Sequence, residues 1–284
     1  MNQDKGQLSA GIYLVATPIG SARDITLRAL DVLAGADVIA AEDTRTARKL
    51  MEIHGIALAG RRIVAFHDHS DRATAARLVG EARDGRAVAY VSEAGTPLVS
   101  DPGFELVREA IAAGVAVTAV PGASAVLAAL TVAGLPTDRF LFAGFLPAQG
   151  AARAAAIADL RGVTATLLFY ESPRRVGALM ADLAAGLGGA RPAAVARELT
   201  KRFEEVRRGS LADLAETYAA EEPRGEVVVL VGHATAEATD EDAVRAALAE
   251  AMKTMRMKDA ATAVAGATGM ARREVYQIAL GMKD

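Results

Sequence analysis

The 284 residues include no cysteine, which excludes disulfides and thiolate metal sites and suits a cytosolic protein. Tryptophan is absent and aromatics make up 4% of the chain, so a base-stacking platform would rest on a few Tyr and Phe. The start, MNQDKGQLSAG, is polar and lacks the apolar stretch of a signal peptide. Charge of one sign is also missing: the net charge of −3 advertises no polyanionic partner by itself. One window, 110–137, has no charged residue, yet Gly114, Pro121, Gly122 and Gly134 interrupt it. It reads as a buried strand, a Pro-Gly turn and a buried helix rather than as a membrane span.

What the chain does have is a core, with 52% hydrophobic residues, and enough length for two domains and an appendage. Over the first 120 residues short apolar runs alternate with helical patterns. Strands are expected at 12–16, 37–41, 62–66, 87–91 and 115–120, and helices at 26–33, 44–54, 72–83 and 104–112. Short, nearly all-apolar strands alternating with helices predict a mainly parallel sheet covered on both faces. The next stretch predicts strands at 139–143, 165–170, 193–198, 203–208 and 226–231, with helices around 151–160, 174–185 and 211–220. A charged strand, KRFEEVRRG, then a helix, then GEVVVLVG implies some antiparallel pairing. The fold class is therefore α/β, with residues 11–122 and 123–233 forming two domains. After the polar linker ATAEATDED, residues 240–284 predict an amphipathic helix over 242–255 and then a helical pair with a turn at Gly269. From Ala251 to Asp284 six basic residues stand against three acidic ones, which makes this small helix-turn-helix-like unit a candidate for nucleic-acid contact.

Four loops follow strand ends in the first domain: TPIGS (17–21), AEDTR (41–45), SEAGTPLVSDPG (92–103) and PGAS (121–124). In an open parallel sheet, ligands bind beyond the carboxyl ends of the strands, so these loops should meet at one cleft. TPIGSARDITLRAL has a strand, a glycine turn and a helix, but neither dinucleotide-type glycines nor a Gly-Lys-Ser/Thr ending. No loop offers a Lys/Arg cradle. Backbone carbonyls with Glu93 and Asp101 suit a ligand with a positive centre better than a triphosphate. His67 and His69 in FHDHS lack a third ligand set, so no metal site is expected.

Several long motifs occur in order: IYLVATPIGSARDITLRALDVLAGADVIAAEDTR, HDH, VSEAGTPLVSDPG, PGAS, AGLPTDRFLFAGFLP, LFYESPRR, ARELTKRFEE and GEVVVLVGH. Together they resemble the ribosomal RNA small-subunit methyltransferase I family, a branch of the tetrapyrrole-methylase-like S-adenosylmethionine enzymes. The C-terminal MKDAATAVAGATG and VYQIAL resemble that family's helix-turn-helix tail. Family members usually carry Asp where this chain has Glu93. The resemblance implies methyl transfer from S-adenosylmethionine to the ribose 2′-hydroxyl of a cytidine in the decoding region of 16S ribosomal RNA, within the small subunit. It also implies a homodimer in the cytoplasm, without membrane association, and a cofactor folded between two α/β domains. Cofactor contacts would fall on Pro18, Ser92, Glu93, Ala94, Gly95, Val99, Ser124, Tyr170, Glu171 and Leu199.

For such chemistry a base for the 2′-hydroxyl would be Asp43 or Glu42, with Arg23 or Arg45 holding the carboxylates or a flanking phosphate. Asp43 also stands where it could simply cap the following helix. Two other readings stay open: a methylase of a tetrapyrrole or other small molecule, and a non-enzymatic ligand sensor reading nucleic acid through Met270, Arg272, Arg273 and Gln277.

Overall fold

The computed structural model describes residues 8–67, 72–233, 241–268 and 272–282. The first sheet holds β1 (Gly11–Val15), β2 (Val38–Ala41), β3 (Ile63–Ala65), β4 (Ala87–Val91) and β5 (Val117–Val120). Its order is β3-β2-β4-β1-β5, and every pairing is parallel, in a register that sets Ile12 beside Val88 and Val117. Helices α1 (Leu27–Gly35), α2 (Thr44–Ile53), α3 (Arg72–Arg83) and α4 (Phe104–Ala112) connect the strands.

Side-chain alternation along the strands explains why both faces are covered. Ile12, Val38, Val88 and Tyr90 pack with Leu78 of α3 and Leu106 of α4. Their neighbours Tyr13, Val15, Ala89 and Val91 pack with Val32 and Leu33 of α1 and Ala47 of α2. Each fully buried Val or Leu contributes about 1.5–3 kcal/mol relative to exposure, so the all-apolar β4 acts as the keel of this sheet.

Helix α5 (Ala125–Ala133) follows the Pro-Gly turn and leads to the second sheet. That sheet comprises β6 (Phe140–Phe145), β7 (Thr166–Glu171), β8 (Pro192–Arg197), β9 (Glu205–Ser210) and β10 (Val227–Val231). The order is β6-β7-β10-β8-β9, with β6 and β7 parallel and the other pairings antiparallel, as the charged-strand pattern predicted. Helices α6 (Gly150–Asp159), α7 (Val176–Leu187) and α8 (Leu211–Ala220) cover one face through Ile157, Leu179, Met180, Leu183 and Leu214. The other face receives α5, whose Val126, Ala129, Leu130 and Ala133 pack on Leu168, Ala194, Ala196, Val228 and Leu230.

A third unit contains α9 (Glu241–Ala251), α10 (Met257–Thr268) and α11 (Arg272–Gly281), packed through Val244, Leu248, Ala261, Val264, Val275 and Ala279. The turn expected at Gly269 and the candidate base reader Met270 lie outside the described residues, as does His69.

Among the element boundaries that differ from the sequence expectation, two have a visible cause. The strand expected at 203–208 begins at Glu205, because Lys201–Glu204 closes a turn: the Glu204 amide donates to Lys201 O and the Glu204 carboxylate accepts from the Thr200 amide. The helix expected to run to Met255 ends at Ala251, and Met255 N folds back onto Ala251 O before α10 starts. Among the described residues, no helix is long and apolar enough to cross a membrane. The uncharged window resolves into the end of α4, β5 and α5.

Candidate active site

The strand-end loops of both sheets face one another across a cleft of about 690 Å³. Small-molecule sites run to about 300–1,000 Å³. Pro18, Ile19 and Gly20 after β1, Glu42 and Thr46 around the start of α2, and residues 93–96 and 99–101 after β4 form one wall, with Ser124 and Ala125. The facing wall is Phe145, Tyr170, Glu171, Ala196, Leu199, Lys201 and the start of β10.

Local chemistry fixes the first wall. Thr17 and Gly95 form an isolated antiparallel bridge, with Thr17 N to Gly95 O at 2.9 Å and Gly95 N to Thr17 O at 3.1 Å. Gly95 sits at φ +82°, a conformation costly for residues with a Cβ. Leu98 (φ 72°) and Ser100 (φ 62°) adopt the same region in this loop, as Glu198 (φ 52°) and Thr200 (φ 63°) do on either side of the cleft residue Leu199. Non-glycine residues held there cost of order 1–3 kcal/mol each and cluster at ligand sites.

The walls are also tied together. Ile19 from the β1 loop and Val99 from the β4 loop join the apolar cluster of Leu199 and α5. At Gly20 an added Cβ would stand 2.6 Å from both Lys201 Cγ and Thr200 Oγ1, so only glycine lets the two loops approach this closely.

Charge in the cleft is lopsided. Glu42, Glu93, Asp101, Glu171 and Glu226 line it against one ammonium, Lys201, which is itself paired with Glu198 (3.0 Å) and Glu226 (2.9 Å). Glu171 is buried; its Oε1 accepts from Arg175 Nε at 2.7 Å, while its Oε2 has no hydrogen-bond donor among the described residues. Buried Arg153 lies behind it, 3.8 Å from Oε2 and 3.2 Å from Asp182 Oδ2. Tyr170, edge-on to Phe142 and Phe145, has its hydroxyl pKa pushed up to about 12 by burial first and then by Asp101. It is therefore a neutral hydroxyl at physiological pH.

Nine of the ten residues that the resemblance assigns to the cofactor line this cleft: Pro18, Glu93, Ala94, Gly95, Val99, Ser124, Tyr170, Glu171 and Leu199. The tenth, Ser92, is buried and does not line it; its hydroxyl donates to Gly95 O at 3.3 Å and so shapes the turn. The candidate bases separate. Glu42 lines the cleft and its Oε2 accepts from the Glu93 amide at 3.0 Å. Asp43 is the N-cap of α2: its Oδ1 accepts from the amides of Arg45 (2.7 Å) and Thr46 (3.3 Å), and its Oδ2 from Arg45 Nη2 (2.7 Å). The Arg45 side chain, with the helix amides, holds the Asp43 carboxyl well below the usual carboxylate range. Arg23 stands exposed on a 3-10 turn, Ala22–Asp24, outside the cleft lining.

Lys201 and the start of β10 escaped the sequence reading. Strand β10 runs antiparallel to its neighbours, which brings its N-terminal end to the rim where β7 and β8 end. The signal that could have found it was the Gly225-Glu226 pair opening a strand next to an antiparallel partner.

An acidic cavity containing a buried, unsatisfied carboxylate oxygen and tightly turned backbone fits a ligand with hydrogen-bond donors and a positive centre. Among the described residues, no group of three or more His, Cys, Asp or Glu could hold a metal ion.

The chain matches the family of tetrapyrrole (corrin/porphyrin) methylases over residues 11–215 and the RsmI C-terminal HTH domain over residues 237–283. It is 48% identical to the ribosomal RNA small subunit methyltransferase I of Mesorhizobium japonicum, over 98% of this chain and 94% of that protein. With the protein of the same name from Mycobacterium tuberculosis the identity is 44%, covering 96% and 95%. Among solved structures, a uroporphyrin-III-C-methyltransferase from Thermus thermophilus superposes with a TM-score of 0.54 at 26% identity, covering 78% of this chain and 94% of that one. A non-enzymatic sensor is thereby set aside. The chain belongs to the ribosomal RNA small subunit methyltransferase I family, S-adenosylmethionine-dependent methyltransferases built on the tetrapyrrole methylase fold.

Proposed function

We propose that the protein methylates the ribose 2′-hydroxyl of a cytidine in the decoding region of 16S ribosomal RNA, presented within the small subunit. The observation that carries this reading is the single acidic cleft on which the rim loops converge, in a chain whose relatives are named for small-subunit ribosomal RNA. S-adenosylmethionine, when bound, supplies an electrophilic methyl on a sulfonium centre with a neutral thioether as leaving group.

The chain's own task is then alignment and proton removal. Alignment of the two reacting groups can be worth roughly 7–11 kcal/mol, which the closely turned loops at Thr17–Gly20 and Glu93–Val99 serve by rigidity. Glu171 and Glu93 offer acceptors, and Tyr170 offers a neutral hydroxyl. Glu42 takes the proton from the 2′-hydroxyl, a role worth about 10²–10⁴-fold. Asp43, committed to Arg45 and the α2 amides, positions Glu42 and is a poor base. Arg45 and Arg23 face the acceptor strand. Ser92 supports the Gly95 turn.

Residues 11–122 and 123–233 act as the two jaws, and 240–284 as a further RNA-contacting unit whose exposed Arg272, Arg273, Tyr276 and Gln277 lie on α11. A homodimer is supported by edge strand β6, which exposes Phe140, Leu141 and Phe145, an apolar edge that isolated proteins avoid. The cytoplasm is where the ribosomal acceptor resides. Incubation with labelled S-adenosylmethionine and small subunits from cells lacking the modification should label the RNA on one cytidine ribose. Labelling of base atoms only, or none, overturns the reading.

A further inference from the structure

Helix α2 starts at the cleft wall, where Glu42 and Thr46 line the cavity, and runs away from it along the surface. Its sequence, TRTARKLMEI, spaces Arg45, Arg48 and Lys49 by three and four residues, which stacks them on one face. All three are exposed, while Ala47 and Met51 bury the opposite face. Arg45 is paired with Asp43. Arg48 and Lys49 make no ion pair or side-chain hydrogen bond with any described residue, and neither does Arg23. The 3-10 turn that carries Arg23 is joined to the C-cap of α2, with His54 Nε2 2.9 Å from Ala22 O.

Neither Arg48 nor Lys49 is spent on such a contact within the described fold, although exposed Glu52 shares the helix surface at i+4 and i+3 from them. Arg45 alone lies in the first turn of α2, where the positive end of the helix dipole disfavours a cation. Asp43 offsets it there, while Arg48 and Lys49 stand beyond that turn without a paired carboxylate among the described residues. The neighbouring cleft has the opposite sign, with five carboxylates and one already paired ammonium. A polyanionic strand that places one sugar in that cleft must keep its phosphates out of it, and the adjoining cationic face is where they can rest.

We infer that the Arg45–Arg48–Lys49 face of α2, with Arg23 beside it, is the docking surface for the phosphate backbone of the RNA strand flanking the methylated ribose. The inference rests on the proposed RNA 2′-O-methyl transfer. The face supplies affinity and register, while the cleft supplies the chemistry. Each phosphate neutralised releases condensed counterions, so the contribution of the face reads out as salt dependence.

The test compares the full-length protein with its R48A/K49A variant, both residues lying outside the cleft lining. Binding to small ribosomal subunits is measured over a potassium chloride series, alongside methyl-transfer kinetics and calorimetry with S-adenosylmethionine. The log–log salt slope should fall by about two in magnitude, one per lost phosphate contact. KM for subunits should rise about ten-fold, while kcat and donor affinity are kept. Unchanged slope and KM in a variant that still binds the donor overturn the inference and leave the methyl-transfer reading intact. Conversely, the unsubstituted protein could methylate no subunit yet bind a cytidine-containing single-stranded RNA with a slope that R48A/K49A lowers by two. That result upholds the face and removes the ribosomal reading.

Discussion

Ser21 and Thr200 lie 179 positions apart in the chain and meet in a hydrogen bond, 3.0 Å from the Ser21 amide to Thr200 Oγ1. Thr200 reaches that amide from a left-handed backbone (φ 63°) anchored by Glu204, whose carboxylate accepts from its amide at 2.6 Å. The loop after β1 and the loop after β8 are thus one joint, with Gly20 at its closest point and Ile19 and Leu199 in the apolar cluster beside it. The joint sets the distance between the two walls of the cleft.

Widening that joint should loosen the site before it unfolds the protein. Gly20→Val places new carbons where Thr200 Oγ1 and Lys201 Cγ already stand. Overpacking of this kind costs typically about 1–3 kcal/mol, and each 1.4 kcal/mol lost from binding is about ten-fold in affinity. Calorimetry should find donor affinity at least about ten-fold weaker, with the urea midpoint only modestly lower. Unaltered affinity would show that the joint does not shape the cleft.

Glu42 and Asp43 are neighbours with different tasks, and substitution should separate them. Glu42→Gln should lower kcat by about 10²–10⁴-fold while donor affinity holds. Asp43→Ala removes the cap of α2 and should lower the melting temperature, with a smaller loss of kcat. Single-turnover rates and melts on both variants check this; a larger kcat loss at Asp43 would reverse the assignment.

Tyr170 gives a pH signature. Its folded pKa of about 12 lies above the unfolded value of about 10, so unfolded chains ionise first. The stability linked to its protonated state is complete below pH 10 and declines as pH climbs to about 12. Among five tyrosines, spectrophotometric titration should show a late-ionising one that disappears in Tyr170→Phe. A titration curve identical in the variant would contradict the burial argument.

The overall architecture could be read from the residues, and the reason is periodicity. All-apolar β4 reads as a strand covered on both faces, and the charged 201–209 stretch reads as a strand with antiparallel pairing, which the structure places at the sheet edge from Glu205 on. The first wall of the cleft was legible because parallel strands all end at one rim. The second wall was only partly so: Lys201 and Glu226 reach the cleft through antiparallel pairing, which no local pattern reports. The Ser21–Thr200 joint was invisible for the same reason, since it exists only once two separately folded loops meet. Asp43 was ambiguous from sequence because Asp-Thr-Arg reads equally as a cap and as an acid–base pair. Distances to three donors show that it caps α2.

Arg153, behind the cleft residue Glu171, gives a stability prediction. Its side chain is 1% exposed and pairs with Asp182 Oδ2 at 3.2 Å, close to the equally buried Glu171. It also donates to Pro147 O at 2.8 Å and to Ala148 O. Removing one partner of a buried ionic cluster typically costs about 3–5 kcal/mol. Arg153→Ala should lose stability on that scale in urea denaturation, and a loss below about 1 kcal/mol would show the cluster to be wet rather than buried.

The most direct measurement is calorimetric titration of the purified chain with S-adenosylmethionine and with its demethylated product. Both should bind at one site per chain, and Gly20→Val should weaken both. If neither ligand gives a binding isotherm with the folded protein, the cleft does not hold a methyl donor and the function derived from it is wrong.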